Sequence, residues 1–110
     1  MGLFKKKKTV DFKGQPSLRE SKDKIEFFKI TERNEEILLR MCDLLKEGRP
    51  VLANFDTLVA VDCNFMLAFL SGCVYALDGE VIQMQERLFL FAGGNELIDG
   101  SVKEWVEENK

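Results

Sequence analysis

Apolar and polar positions fall into a readable order from Lys24 onward. Residues 24–30 (KIEFFKI) are rich in β-branched and aromatic side chains and predict a first strand. Thr31 or Asn34 then offers a helix N-cap, with Glu35 and Glu36 placed at the positive end of the helix that follows. Ile37, Leu38, Met41, Cys42, Leu44 and Leu45 recur at helical spacing, and Gly48 with Pro50 stops that helix. Residues 51–55 predict a short strand buried on both faces, and residues 56–61 lead into a second helix over residues 62–77. Asp78-Gly79 ends it, with Gly79 free to adopt the left-handed conformation. Strands over residues 81–85 and 88–92 follow, joined by a tight turn around Glu86. Gly93-Gly94-Asn95 breaks the pattern, and Ser101-Val102-Lys103-Glu104 predicts a capping box. It opens a short last helix whose apolar side is Val102, Trp105 and Val106. The order β-α-β-α-β-β plus a short C-terminal helix predicts an α+β sandwich, with two main helices packed on one small sheet.

The second helix departs from the usual pattern. Residues 65–77 read FMLAFLSGCVYAL, in which only Ser71 and the Tyr75 hydroxyl are polar. A helix lying on one sheet normally keeps a polar outer face. This one has none, so more than one side of it needs cover. Exposed apolar patches of that extent mark interaction surfaces, and a second copy of the chain is the simplest cover. Ala68, Gly72 and Ala76 form a stripe of small residues at i, i+4 and i+8. Gly72 costs the helix about 1 kcal/mol relative to alanine. Close approach of a neighbouring backbone would offset that cost, and the neighbour is either the chain's own sheet or a partner. Either way the pattern predicts a homodimer.

Charge divides the chain. Residues 1–24 carry eight Lys/Arg against three acids, and the remainder carries eight against sixteen, so the overall −3 hides a basic tail on an acidic domain. Residues 1–12 form the basic N-terminus, residues 13–23 (with Gly14, Pro16 and Ser17) a flexible linker, and residues 24–110 the folded domain. Nowhere does the sequence reach the roughly 18 apolar residues of a membrane-spanning helix. The basic start has no apolar segment behind it to make a secretory signal. Cys42, Cys63 and Cys73 lack a CxxC arrangement and the chain has no histidine, which predicts reduced core thiols and neither a metal site nor a cofactor. The missing histidine also removes the commonest general base and the Ser-His and Cys-His pairs, so no catalytic residue is assigned. The carboxylates Asp56, Asp62, Asp78 and Glu80 read as helix-end or solvated groups.

At the N-terminus Leu3 and Phe4 adjoin Lys5, Lys6, Lys7 and Lys8. Two apolar side chains beside four cations suit shallow insertion into an anionic bilayer. A plain solvated tail fits the same residues. Nucleic acid is disfavoured by the acidic domain and by the lack of interleaved basic and aromatic residues. The N-myristoylation pattern fails at Lys6.

Residues 70–80, LSGCVYALDGE, resemble the central signature of SepF, a cell-division protein family of bacteria and archaea. Leu45-Lys46 through Arg49, then residues 51–55 with Asn54, resemble the family's helix-to-strand segment. Leu88-Phe89-Leu90 resembles its last long strand, and Asp99-Gly100-Ser101 the tail of some members. Residues 1–8 are similar to its membrane-targeting helix. Coverage is about residues 27–108 plus the extreme N-terminus.

The resemblance implies a non-enzymatic adaptor that dimerises and can assemble further. Such an adaptor lies on the inner face of the cell membrane at the division site and tethers the division ring by binding the C-terminal tail of FtsZ. It implies tail contacts at Tyr75, Gln83 and Phe89, and packing or assembly roles for Gly72 and Gly79. The chain departs from the family pattern at Asn64 and Ala68, at Gln83 and Gln85, and at Ala92-Gly93, and its linker is short. The alternative reading is a generic dimeric regulatory domain that binds a different peptide through the same apolar surface.

Overall fold

The computed structural model describes residues 21–110. A 3-10 helix at Ser21–Lys24 leads into β1 (Glu26–Lys29), α1 (Glu35–Lys46), β2 (Val51–Asn54) and α2 (Ala60–Ala76). After these come β3 (Glu80–Gln85), β4 (Leu88–Ala92), α3 (Gly94–Leu97) and α4 (Ser101–Asn109). The four strands form one sheet in the order β1-β2-β4-β3. β1 pairs with β2 in parallel, while β4 runs antiparallel to both β2 and β3. The α+β sandwich expected from the sequence is therefore the fold.

Strand alternation distributes the core over the sheet's two faces. Val51, Ala53 and Phe91 point toward α1 and α2 and join Ile30, Leu38, Met41, Leu45, Phe55, Met66 and Leu70. Leu52 and Leu90 point the other way and meet Met84, Val102 and Val106, with Trp105 and Ile25 at the margin. β2 is thus buried on both sides, as its continuous apolar run predicts. The two main helices lie on one face, and the short C-terminal helix takes the other. α4 and the 3-10 helix cover the face opposite α1 and α2, and the Lys22 N–H donates to Ser101 Oγ at 3.0 Å. Residues 21–23, expected to belong to a linker, join Lys24 in the 3-10 helix of that layer.

Local chemistry sets the element ends. Asn34 Oδ1 accepts from the Ile37 N–H at 3.1 Å, capping α1. At the other end Gly48 takes φ +89° and the Arg49 N–H closes on Leu44 O at 2.9 Å. Two sequence expectations fail here. The left-handed residue after α2 is Asp78, at φ +56°, whereas Gly79 has ordinary backbone angles. Gly79 is required for space: a Cβ there would lie 1.9 Å from Ala92 O. The capping box at Ser101 does not form either, because the N-cap is Gly100 at φ +78°. Asp99 Oδ1 instead accepts from both the backbone N–H and the hydroxyl of Ser101, each at 2.9 Å.

Candidate functional site

α2 shows what its sequence could not: which side faces in. Cys63, Met66, Leu70 and Val74 are buried against the sheet. The outward side carries Val61, Asn64, Phe65, Ala68, Phe69, Gly72, Tyr75 and Ala76, all exposed. The small-residue stripe therefore lies on the outer face and not on the sheet. A Cβ added at Gly72 would meet nothing within 4 Å. Among the described residues, then, nothing makes use of the missing side chain. Val61 is 70% exposed and Tyr75 84%, so bulky apolar surface lies at both ends of the stripe.

Beside the stripe, α1 and α2 leave a shallow groove of about 120 Å³ lined by Glu35, Leu38, Leu39, Phe65 and Phe69. Leu39 stands 58% exposed on its rim. At the groove's end the Arg33 guanidinium lies 3.6 Å from the centre of the Phe65 ring and 3.9 Å from Asp62 Oδ1. A cation over an aromatic face holds that ring in place. Leu39, Phe65 and Phe69 belong to this surface, although sequence reasoning did not single them out. The usable signal was the Phe65/Phe69 pair at i, i+4, which lies off the Met66/Leu70/Val74 side.

The residues assigned to tail binding fall in two places. Gln83 and Phe89 are cross-strand partners on β3 and β4. Phe89 is half-buried, packs against the core and sets its ring 6.1 Å from that of Phe55. Gln83 is exposed and its Nε2 donates to Glu86 O at 3.3 Å. Tyr75 is on the last turn of α2, exposed beside the small-residue stripe. Gly79 packs on Ala92 within the same chain. Leu3, Phe4 and Lys5 to Lys8 lie outside the described residues.

Chemistry elsewhere is dispersed. Asp62 faces Arg33, Glu80 bonds Lys103 Nζ at 3.2 Å, and Asp56 donates its backbone N–H to Asn54 Oδ1 at 2.8 Å. Among the described residues no group of three His, Cys, Asp or Glu is placed to hold a metal ion, and no helix is long and apolar enough to cross a membrane. The three thiols are free, Cys63 in the core and Cys42 and Cys73 half-buried on α1 and α2.

Comparison with known proteins fits this architecture. The profile of the family described as Cell division protein SepF matches residues 27–95, a span from β1 to α3 that leaves α4 outside. The cell division protein SepF of Caldanaerobacter subterraneus subsp. tengcongensis is 35% identical over 71 residues, 64% of this chain and 53% of the relative. That of Natranaerobius thermophilus is 40% identical over 58 residues, 53% of this chain and 35% of the relative. The chain thus spans about half the length, or less, of these curated relatives. A SepF-like protein from Archaeoglobus fulgidus shares the fold, with a TM-score of 0.52 and 11% identity over 62% of this chain and 86% of that one.

Proposed function

The chain belongs to the SepF family of cell division proteins, and on that premise we propose that it is a non-enzymatic membrane adaptor for the division ring. It self-associates through the outer face of α2 and lies on the inner face of the cell membrane through residues 1–8. There it binds the C-terminal tail of FtsZ. The observation that carries this reading is the apolar outer face of α2, with open space over Gly72. A solvated helix gains nothing from Phe65, Phe69, Val61 and Tyr75 on that side and loses about 1 kcal/mol at Gly72. A second helix packed there gives both features a use.

Charge supports the membrane half. An acidic domain is repelled by an anionic leaflet, so attraction has to come from the basic N-terminus. Each of Lys5 to Lys8 contributes about 1 kcal/mol near such a surface. One copy binds weakly, whereas several copies on one assembly add by avidity. Tyr75, Gln83 and Phe89 are the proposed apolar and polar contacts for the tail.

One reconstitution tests the whole reading. The full chain is mixed with phosphatidylglycerol-containing vesicles and a labelled FtsZ C-terminal peptide, and the vesicles are pelleted. Peptide should pellet only when chain and vesicles are both present. Deleting residues 1–8 should leave peptide binding in solution intact and abolish pelleting. A folded, self-associated chain that ignores the peptide at high micromolar concentration would overturn the adaptor role and favour a different peptide partner.

A further inference from the structure

The topology brings together two cysteines that lie far apart in sequence. β2 returns parallel to β1 after α1, and β3 returns parallel to β2 after α2, since β2 and β3 both run antiparallel to β4. Both helices therefore run against the same strand direction and parallel to one another. Leu38 of α1 and Phe69 of α2 line the same groove. Two parallel helices advance equally, about 1.5 Å per residue. One turn beyond Leu38 and Phe69 the facing residues are Cys42 and Cys73. The two side chains come close enough there for each thiol to feel the other. Both are half-buried, at the edge of the core and within reach of solvent. Cys63 is 4% exposed on the inner side of α2 and belongs to the core.

We propose that Cys42 and Cys73 form a reversible dithiol-disulfide site, which a disulfide oxidant of the glutathione class closes into a covalent staple between α1 and α2. The chemistry is thiol-disulfide exchange. Cys73, as thiolate, attacks one sulfur of oxidised glutathione, forms a mixed disulfide and releases one glutathione thiolate. That thiolate takes the proton from Cys42. The Cys42 sulfur then attacks the Cys73 sulfur and expels the second glutathione. That second glutathione leaves as a thiolate and takes from water the proton that Cys73 released on ionising, so the protein gives up two electrons and two protons and the oxidant gains both.

The surroundings set this order. Burial pushes the Cys42 thiol up to about 12, and the hydrogen bond to Cys73, the Cys73 charge and the Asp43 charge add to it, while Lys46 opposes them. Cys42 is therefore a poor first nucleophile. Two of those influences come from Cys73 itself, and both disappear once Cys73 is held in a mixed disulfide. The first step thus frees Cys42 for the second.

The test uses the full folded chain, equilibrated with graded mixtures of reduced and oxidised glutathione, quenched in acid, alkylated and mapped with trypsin. Oxidation should remove two of the three free thiols and join the peptide of residues 41–46 to that of residues 47–87. Because that second peptide also contains Cys63, the join must persist in Cys63→Ser. It must vanish in Cys73→Ser, with Cys42 left as a thiol. Cys42→Ser should stop at a glutathione adduct on Cys73. The proposal is overturned if the wild type stops at an adduct or cross-links between chains. Retention of all three thiols in a mixture that oxidises the urea-unfolded chain would overturn it as well.

Discussion

Gly72→Ala separates what α2 does for its own chain from what it does for a partner. Inside one chain the new methyl group enters open space, since among the described residues nothing lies within 4 Å of its position. Replacing a helix-interior glycine by alanine then stabilises the domain by about 1 kcal/mol. In a domain of this size that raises the melting temperature by about 4–8 °C. In a dimer built on the Ala68/Gly72/Ala76 stripe, the same methyl group pushes two closely packed backbones apart. Overpacking of that kind costs about 1–3 kcal/mol, which weakens association by roughly fivefold to 150-fold. The two effects have opposite signs, so one variant reads both. Sedimentation equilibrium over a concentration series gives the association constant, and urea unfolding below the dimer midpoint gives the monomer's stability. A variant that gains stability and associates like the wild type would refute the close contact at Gly72. A variant that loses stability as a monomer would refute the outward orientation of α2.

Gly79→Ala should behave in the opposite way, because its Cβ collides with the Ala92 backbone. A loss of about 3 kcal/mol or more is expected in urea unfolding, and a loss below about 1 kcal/mol would mean the α2–β4 approach is looser than described. Arg87 Nη1 donates to Phe55 O at 3.2 Å and Leu58 O at 2.9 Å. Phe55 O also accepts from the Leu58 N–H, so Arg87→Met strands chiefly the Leu58 carbonyl and should cost about 1–3 kcal/mol by the same measurement. Glu96 is 4% exposed and its carboxylate accepts from the Gly93 N–H at 2.7 Å. Burial nevertheless raises its pKa above the ordinary 4.5. The native state therefore holds that proton more tightly than the unfolded chain does. Its contribution is complete below pH 4.5 and is lost as pH rises through the raised value. Glu96→Gln keeps an acceptor for Gly93 without the charge, so the variant should gain on the wild type as pH rises from 4.5 to 7, as read by urea midpoints. A pH-independent difference between the two would count against this account.

Most of the architecture is legible in the sequence, and the places where it is not have identifiable causes. α1, β2 and β4 announce themselves because each has one dominant signal: helical spacing ended by Gly48, a wholly apolar run, and an aromatic run. α2 announces a helix but hides its orientation, since Met66 and Leu70 on one side are no more apolar than Phe65 and Phe69 on the other. Ser101 reads as a cap because its spacing to Glu104 is right, yet Asp99, two residues earlier, takes its N–H and hydroxyl instead. Asp78 and Gly79 exchange their expected roles because the demand at Gly79 is for space beside β4. That demand comes from a strand that follows in the chain, so local pattern cannot express it. The meeting of Cys42 with Cys73 is invisible for the same reason, being set by two crossovers and not by spacing. Of the candidate site, the small-residue stripe was readable, while the groove beside it needed the relative placement of two helices.

The bond between Lys22 and Ser101 also has a mechanical meaning. Any pull applied to the chain ahead of Ser21 reaches the domain first at the 3-10 helix, which is stitched to α4 on the side of the sheet away from α1 and α2. From there it passes to β1, which among the described strands pairs with β2 alone. β1 and β2 are parallel, so tension drawn along β1 loads their whole row of hydrogen bonds in shear together instead of unzipping them singly. The outer face of α2 lies off that line of force. A tether can therefore be strained without prying open the surface on which copies would meet.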